Sequence, residues 1–342
     1  MNAPVVSVII AARDASPTLE RTLDALSRQS LAKPYEVIVV DDGSQDDTVL
    51  IAQNHEPLVR LIRNESSEGP GAARNRGVRH ARSHVLAFTD ADCFPSADWL
   101  AEGMAALTGA DLVQGRVVPD PSVPRTPFDR SLSVDGHDGF YQTANLLTER
   151  GVFEAVGGFR DWALELPGRR RWSVDRRRGR AMRTPIGEDT LFAWTARRRG
   201  LRSAFAPNAL VHHVVVPGDV REAIADRWHW TKDMPGLARM VPELRDAVFY
   251  HRWFFAYWTA VFDLSLAGLV AATLTRRKLW LLATVPYTRR VLRETTLYRD
   301  GRDSRLAGMR RAARYALGVP AVDAATLLGL LSGSVEWRRL VL

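Results

Sequence analysis

Residues 85–100 read VLAFTDADCFPSADWL. Val85, Leu86, Ala87 and Phe88 form a short apolar run, the pattern of a buried strand. The run stops at Asp90-Ala91-Asp92, two acids one residue apart with no Lys or Arg between them. Two like charges at a buried strand end are costly to desolvate unless something positive pairs with them. A divalent cation does this through hard oxygen ligands and keeps positions free for substrate phosphates. A solvated acidic turn is the other reading, because aspartate is a common turn residue.

Working outward, residues 5–11 and 35–40 are two further apolar, β-branched runs, and residues 58–62 a third. Between them the spacing predicts helices. Ser16-Pro17 looks like an N-cap with Pro at the first helical position, followed by Leu19, Leu23 and Leu26. Asp46 or Asp47 opens a second helix. Gly69-Pro70-Gly71 opens a third that carries Ala72, Ala73, Arg74, Asn75 and Gly77, with residues small enough for a helix start close to a phosphate. Strands alternating with helices imply βαβ units and a mainly parallel sheet. In such sheets ligands sit beyond the carboxyl ends of the strands. Asp41-Asp42 ends one strand and Asp90-Ala91-Asp92 another, so two strand ends place acids on one rim. Downstream, residues 139–145 lead into a helix expected over 148–156, ended by Gly157-Gly158.

The chain has 342 residues, room for one large domain with an addition or for two domains. Its 46% hydrophobic and 25% charged content are ordinary for a globular protein. A net charge of +8 and a pI near 10.1 are not, and they suit phosphate groups, an anionic membrane surface or nucleic acid. Cys93 is the single cysteine, which excludes an internal disulfide framework and fits a reducing compartment. The N-terminal apolar run is short and lacks a preceding basic region, so no export signal is expected.

Six stretches in order resemble family 2 glycosyltransferases with the GT-A nucleotide-diphospho-sugar fold: SVIIAARDASPTLERTLDALSRQS, EVIVVDDGSQDDT, GPGAARNRGV, VLAFTDADCFPSADWL, ANLLTERGVFEAVGGF and GEDTLFAWTARRRG. The resemblance spans residues 5 to about 230. It implies inverting transfer of a sugar from a nucleotide-diphospho-sugar donor to a hydroxyl acceptor, assisted by Mn2+ or Mg2+. Carried over position by position, it places Ala11, Arg13, Asp41, Asp42, Arg74, Asp90 and Ala91 against the nucleotide-sugar. Ala-Arg-Asp stands where Tyr-Asn is commoner in the family. Asp90, Asp92 and His213 match the metal side, with Asp92 the direct ligand. Asp189 matches the catalytic base, and Asn145 and Glu188 the acceptor side. Taken alone, Glu188-Asp189 is also what a helix N-terminus favours.

Arginines crowd one loop, from Arg169 to Arg183, just ahead of Asp189. They suit capture of a diphosphate, or form a solvated face. Of His212 and His213, strand alternation sends one toward the site. Ile224 stands where processive members carry the Gln of Gln-x-x-Arg-Trp, so a single addition is expected.

The last third changes character. Residues 253–274 and 316–335 are long apolar stretches, interrupted by Asp263 and Asp323, and basic residues flank the first. They point to the anionic cytoplasmic leaflet of the plasma (inner) membrane, with the catalytic region in the cytoplasm. A helical appendage packed on the catalytic region is the other reading. The division expected is a catalytic domain over 1–240 and a helical, membrane-associated region over 241–342. Two rival functions remain. A nucleotidyltransferase that makes sugar nucleotides would carry a Gly-rich, Lys-bearing first loop, where this chain has Ile10-Ala11-Ala12-Arg13. A basic nucleic-acid-binding protein would interleave arginines with aromatics on one surface. Here they cluster beside the expected base, so no nucleic-acid partner is expected.

Overall fold

The computed structural model describes residues 3–125, 128–165, 186–297 and 305–342. The chain divides into two compact units, residues 1–122 with 131–214 and residues 123–130 with 215–342. The division thus falls after Val214 rather than after residue 240.

The first unit is a mixed sheet with helices. Its strands are β1 (Val6–Ala12), β2 (Tyr35–Asp41), β3 (Val59–Arg63), β4 (Val85–Asp90), β5 (Cys93–Pro95), β6 (Leu112–Pro119), β7 (Leu146–Glu149) and β8 (Ser203–His213). Its helices are α1 (Leu19–Ser27), α2 (Thr48–Asn54), α3 (Pro70–His80), α4 (Trp99–Leu107), α5 (Arg150–Val156) and α6 (Glu188–Arg198). The sheet order is β3-β2-β1-β4-β7-β6-β8-β5. The βαβ half, β3-β2-β1-β4, is parallel as expected. Beyond β4 the sheet is mixed, because β7 runs antiparallel to both its neighbours and β5 antiparallel to β8. Val8, Ile10, Val37, Val39, Ala87, Leu23 and Trp99 fill one face. Phe88, Phe153, Phe159 and Phe192 fill another cluster, with ring centroids 5.1 to 5.6 Å apart.

Two elements differ from the sequence expectation. Residues 146–149 form a strand, so the helix expected from residue 148 starts at Arg150. The buried Leu146, Leu147 and Thr148 pair with β4 on one side and β6 on the other, a non-local demand that no local signal carries. Helix α1 starts at Leu19, not after Ser16. The Ala15 and Ser16 N–H groups donate instead to Thr48 Oγ1 (2.8 Å) and the Asp46 carboxylate (2.9 Å), which ties the end of β1 to the start of α2.

The second unit is helical: α7 (Val220–Met240), α8 (Leu244–Ala247), α9 (Tyr257–Thr275), a 3-10 segment (Lys278–Thr284), α10 (Val285–Leu297) and α11 (Arg305–Trp337). Asp219 and Glu222 close a capping box at the start of α7. Glycines on α11 let it lie close along α7. A Cβ at Gly329 would stand 2.3 Å from Thr231 Oγ1, and one at Gly333 only 2.1 Å from the Lys232 carbonyl. This pairing is why α7 belongs to the second unit. By length and composition, Tyr257–Thr275 and Ala312–Trp337 are each apolar enough to cross a membrane. Asp323 within the second accepts from Tyr287 Oη (2.8 Å) and Arg290 Nη1 (2.9 Å). Both Asp263 oxygens are buried without a hydrogen-bond partner.

Candidate functional site

Register places the strand-end residues side by side. Ala11 lies between Val40 of β2 and Asp90 of β4, and Ala12 beside Asp41. The carboxyl ends of three parallel strands therefore form one rim. The residues on it are not equivalent. Asp41 is fully buried, accepts from the Ser44 N–H (3.1 Å) and lies 3.8 Å from Arg63 Nε. Asp42 accepts four hydrogen bonds from the loop ahead of α3: Asn64 Nδ2 (2.7 Å), Ser67 Oγ (2.7 Å) and the backbone N–H groups of Glu68 and Gly69 (2.9 Å each). Its lone pairs are committed to that loop. Ala91 is buried and its carbonyl accepts from Thr22 Oγ1 (2.9 Å). Arg13 is exposed, 3.8 Å from Asp14.

Arg74 joins the rim to α6. Its buried guanidinium donates through Nη2 to Asp90 (2.6 Å) and through Nη1 to Glu188 (3.0 Å). Glycine at 71 permits this approach, since a Cβ there would stand 3.1 Å from Glu188 Cγ. The start of α3 thus packs on Glu188, where the sequence had been read as leaving room for a phosphate. Asp189, next in α6, accepts from the Thr143 N–H (3.1 Å) and the Thr190 N–H (2.8 Å). Burial, then the neighbouring Glu188 charge, push its carboxyl up to about 7, against the lowering pull of Arg74 and the two N–H groups. Desolvation and Glu188 thus outweigh the ionised form that a helix N-terminus favours. Thr143 had no signal in the sequence, because its contribution is a backbone N–H.

Asp92 faces His213 across the β5–β8 pair, with Oδ2 3.7 Å from Nε2. His213 Nδ1 lies 2.8 Å from the Val214 carbonyl, which only accepts, so Nδ1 carries a hydrogen and Nε2 is the nitrogen turned to Asp92. The Val214 N–H donates back to the Asp92 carbonyl (2.9 Å) and fixes the pair. Partial burial and the nearby Asp90 charge push the Asp92 carboxyl up, a strain that a cation would relieve. Asp92, Cys93 and His213 offer ligand atoms all within 4.8 Å of one another. The buried Cys93 thiol is held protonated by burial and both aspartates, which makes it a poor ligand for a hard ion. A carboxylate and an imidazole on one fixed strand pair fit a divalent cation. His212 belongs to the opposite side, near Asp120 and Arg21, as strand alternation requires.

Residues 7–160 match the family described as Glycosyl transferase family 2. That match covers less than half of the chain. Glycosyltransferase AglE of Haloferax volcanii is 35% identical over 171 residues, 46% of this chain and 56% of that protein. The succinoglycan biosynthesis protein ExoO of Rhizobium meliloti is 40% identical over 91 residues, 26% of each chain. The chain thus spans about half the length, or less, of these curated relatives. In shape it is similar to a mannosyltransferase from Pyrobaculum calidifontis solved with GDP-Man and Mn2+, with a TM-score of 0.52, 20% identity and coverage of 99% of this chain and 88% of that one. The first unit has the GT-A fold.

The matched glycosyl transferase segment holds Arg74, Asp90 and Asp92, whereas Glu188, Asp189 and His213 lie beyond it. They join it through the Arg74 bridge and the β5–β8 pair. Asn145 joins nothing on the rim. It is fully buried, accepts from Trp99 Nε1 (2.8 Å) and donates to the carbonyls of Arg116 (2.9 Å) and Ala209 (2.7 Å). Its amide braces α4, β6 and β8, and at Gly115 a Cβ would stand 2.3 Å from it. The arginines at 169–183 lie outside the described residues.

Proposed function

We propose that this chain is an inverting glycosyltransferase that moves a sugar from a nucleotide-diphospho-sugar to a hydroxyl acceptor. The observation that carries the reading is the Arg74 bridge, which links Asp90 on the strand-end rim to Glu188, the neighbour of Asp189 at the start of α6. In the proposed step the acceptor oxygen attacks the anomeric carbon while the bond to the diphosphate oxygen breaks. Asp189, in its ionised form, takes the hydroxyl proton. Asp92 and His213 would hold a divalent cation, Mn2+ or Mg2+, with Asp90 beside them. When bound, the cation supplies positive charge against the departing nucleotide diphosphate. Arg74 keeps Asp90 and Glu188 in place, and Ala11 leaves the rim open above β1. The Mn2+ and GDP-Man of the archaeal neighbour support this assignment.

The acceptor we favour is a glycan or glycolipid of the cell envelope, presented at the cytoplasmic face of a membrane. The two apolar helices support this, as do relatives named for succinoglycan biosynthesis and, at 27% identity, dolichyl-phosphate glucosylation. Ile224 in place of the processive Gln supports a single addition. The test is a screen of nucleotide diphospho-sugars with Mn2+, followed by the anomeric configuration of the product by NMR. Inversion is expected. Retention of configuration would reject the single displacement, and sugar-nucleotide synthesis from a sugar phosphate would reject the transferase reading.

A further inference from the structure

The second unit carries two helices long enough to cross a bilayer, and their packing decides how they meet one. Helix α11 lies along α7 through Gly329 and Gly333. That partner bears Arg221, Glu222, Asp226, Arg227, Lys232 and Asp233, and Lys232 pairs with Glu336 of α11 (3.0 Å). A crossing α11 would draw this charged helix into hydrocarbon, where each charge is costly. Helix α9, at about 28 Å by its rise per residue, could span. Yet the chain turns at Arg276, in left-handed conformation (φ 54°), and the Lys278–Thr284 segment folds back on it. A Cβ at Gly268 would stand 2.6 Å from Ala283 Cβ and 2.7 Å from the Trp280 carbonyl. Only the last two turns of α9 reach beyond this contact, about 10 Å. That matches the ~5–10 Å an interfacial helix buries and is a third of the ~30 Å hydrocarbon core.

The hairpin is apolar on the outside. Leu279, Trp280, Leu281 and Leu282 are consecutive and 74%, 49%, 42% and 64% exposed, and Leu274 is 80% exposed. From residue 264 to 293 the sequence holds six cations (Arg276, Arg277, Lys278, Arg289, Arg290 and Arg293) and no acid. Apolar side chains beside the exposed Arg276, Arg277 and Lys278 complement an interface of acyl chains under anionic headgroups. We propose that the hairpin of α9 and Lys278–Thr284 inserts into one leaflet of an anionic bilayer, and that neither α9 nor α11 crosses it.

This deepens the membrane part of the reading above, but its readout is lipid binding, so an enzyme with no measured turnover leaves it standing. The full chain is added to preformed sealed vesicles of phosphatidylcholine, with or without phosphatidylglycerol, and followed by flotation. Binding at least tenfold tighter to the anionic vesicles is expected, weakened by salt. Leu281→Asp with Leu282→Asp should weaken it about tenfold or more, with an unchanged circular dichroism spectrum. If that pair disturbs folding, the surface variant Arg276→Glu with Arg277→Glu should remove the preference for phosphatidylglycerol alone. The reactivity of Thr275→Cys toward an impermeant maleimide should be the same in sealed vesicles and in vesicles opened by a pore, against a silent background from the buried Cys93. Reaction of Thr275→Cys only after the vesicles are opened would show a crossing helix and overturn the proposal. So would equal binding to both vesicles, or no lipid binding together with self-association through the same residues in sedimentation.

Discussion

Asp189 is held between opposed influences. Two backbone N–H groups and Arg74 favour its charge, while burial and Glu188 oppose it, and the balance leaves the carboxyl near 7. A base must be ionised before it accepts a proton, so turnover should fall as pH drops below about 7 and level off above it. Asp189→Asn should lower turnover about 10²–10⁴-fold and abolish that acid limb, while calorimetry finds donor binding nearly unchanged. Loss of donor binding would move Asp189 to the donor side. Stability carries the opposite sign. A carboxyl raised from 3.8 to about 7 binds more protons folded than unfolded, so its contribution declines as pH rises through that window. Asp189→Asn should therefore raise Tm at pH 8 relative to wild type and leave it unchanged near pH 4, a trade of stability for activity. The place of this acid at a helix start was legible from Gly187-Glu188-Asp189. Its ionisation was not, because burial and the orientation of Glu188 are properties of packing.

At the scale of elements, Arg74 links α3, β4 and α6 through two acids. Removing one partner of a buried charge network leaves uncompensated charges, so Arg74→Met should cost about 3–5 kcal/mol in urea unfolding of the domain. Combining it with Glu188→Gln should recover part of that loss, since one stranded charge is then removed; strict additivity would show that the two groups are not coupled. The strands β1 to β4 and helix α3 were legible because each is an apolar run, or a Gly-Pro start, with its own local signal. The roles of Asp42 and Asn145 were not. Both stand in motif positions read as ligand contacts, and both spend their hydrogen bonds on the protein itself. The partners of Asp42 are twenty or more residues away and those of Asn145 farther still, beyond the reach of any local pattern. Asp42→Ala should accordingly act on folding: a drop in urea midpoint is expected, because the loop ahead of α3 loses four hydrogen bonds to one buried carboxylate.

Across the whole molecule, the candidate chemistry lies in one unit and the exposed apolar helices in the other, so ligand linkage and lipid binding are separately measurable. A ligand that binds only the folded state raises stability by mass action, by about 2.7 kcal/mol at a hundred times its Kd. For a domain of about 150–250 residues, each kcal/mol is ~2–4 °C in Tm, so the matching nucleoside diphosphate with Mn2+ should raise Tm by roughly 5–10 °C. A chelator should abolish the rise. Because Nε2 of His213 and the Asp92 carboxylate face each other across a pinned strand pair, Asp92→Asn and His213→Ala should each lose most of it while keeping the apo Tm close to wild type. Asp189→Asn should keep the full rise, since Asp189 meets the site from the side of Thr143 and α6. A rise that survives the chelator, or one that Asp92→Asn leaves intact, would show that the diphosphate is held by the protein's own cations and that the Asp92–His213 pair serves another purpose.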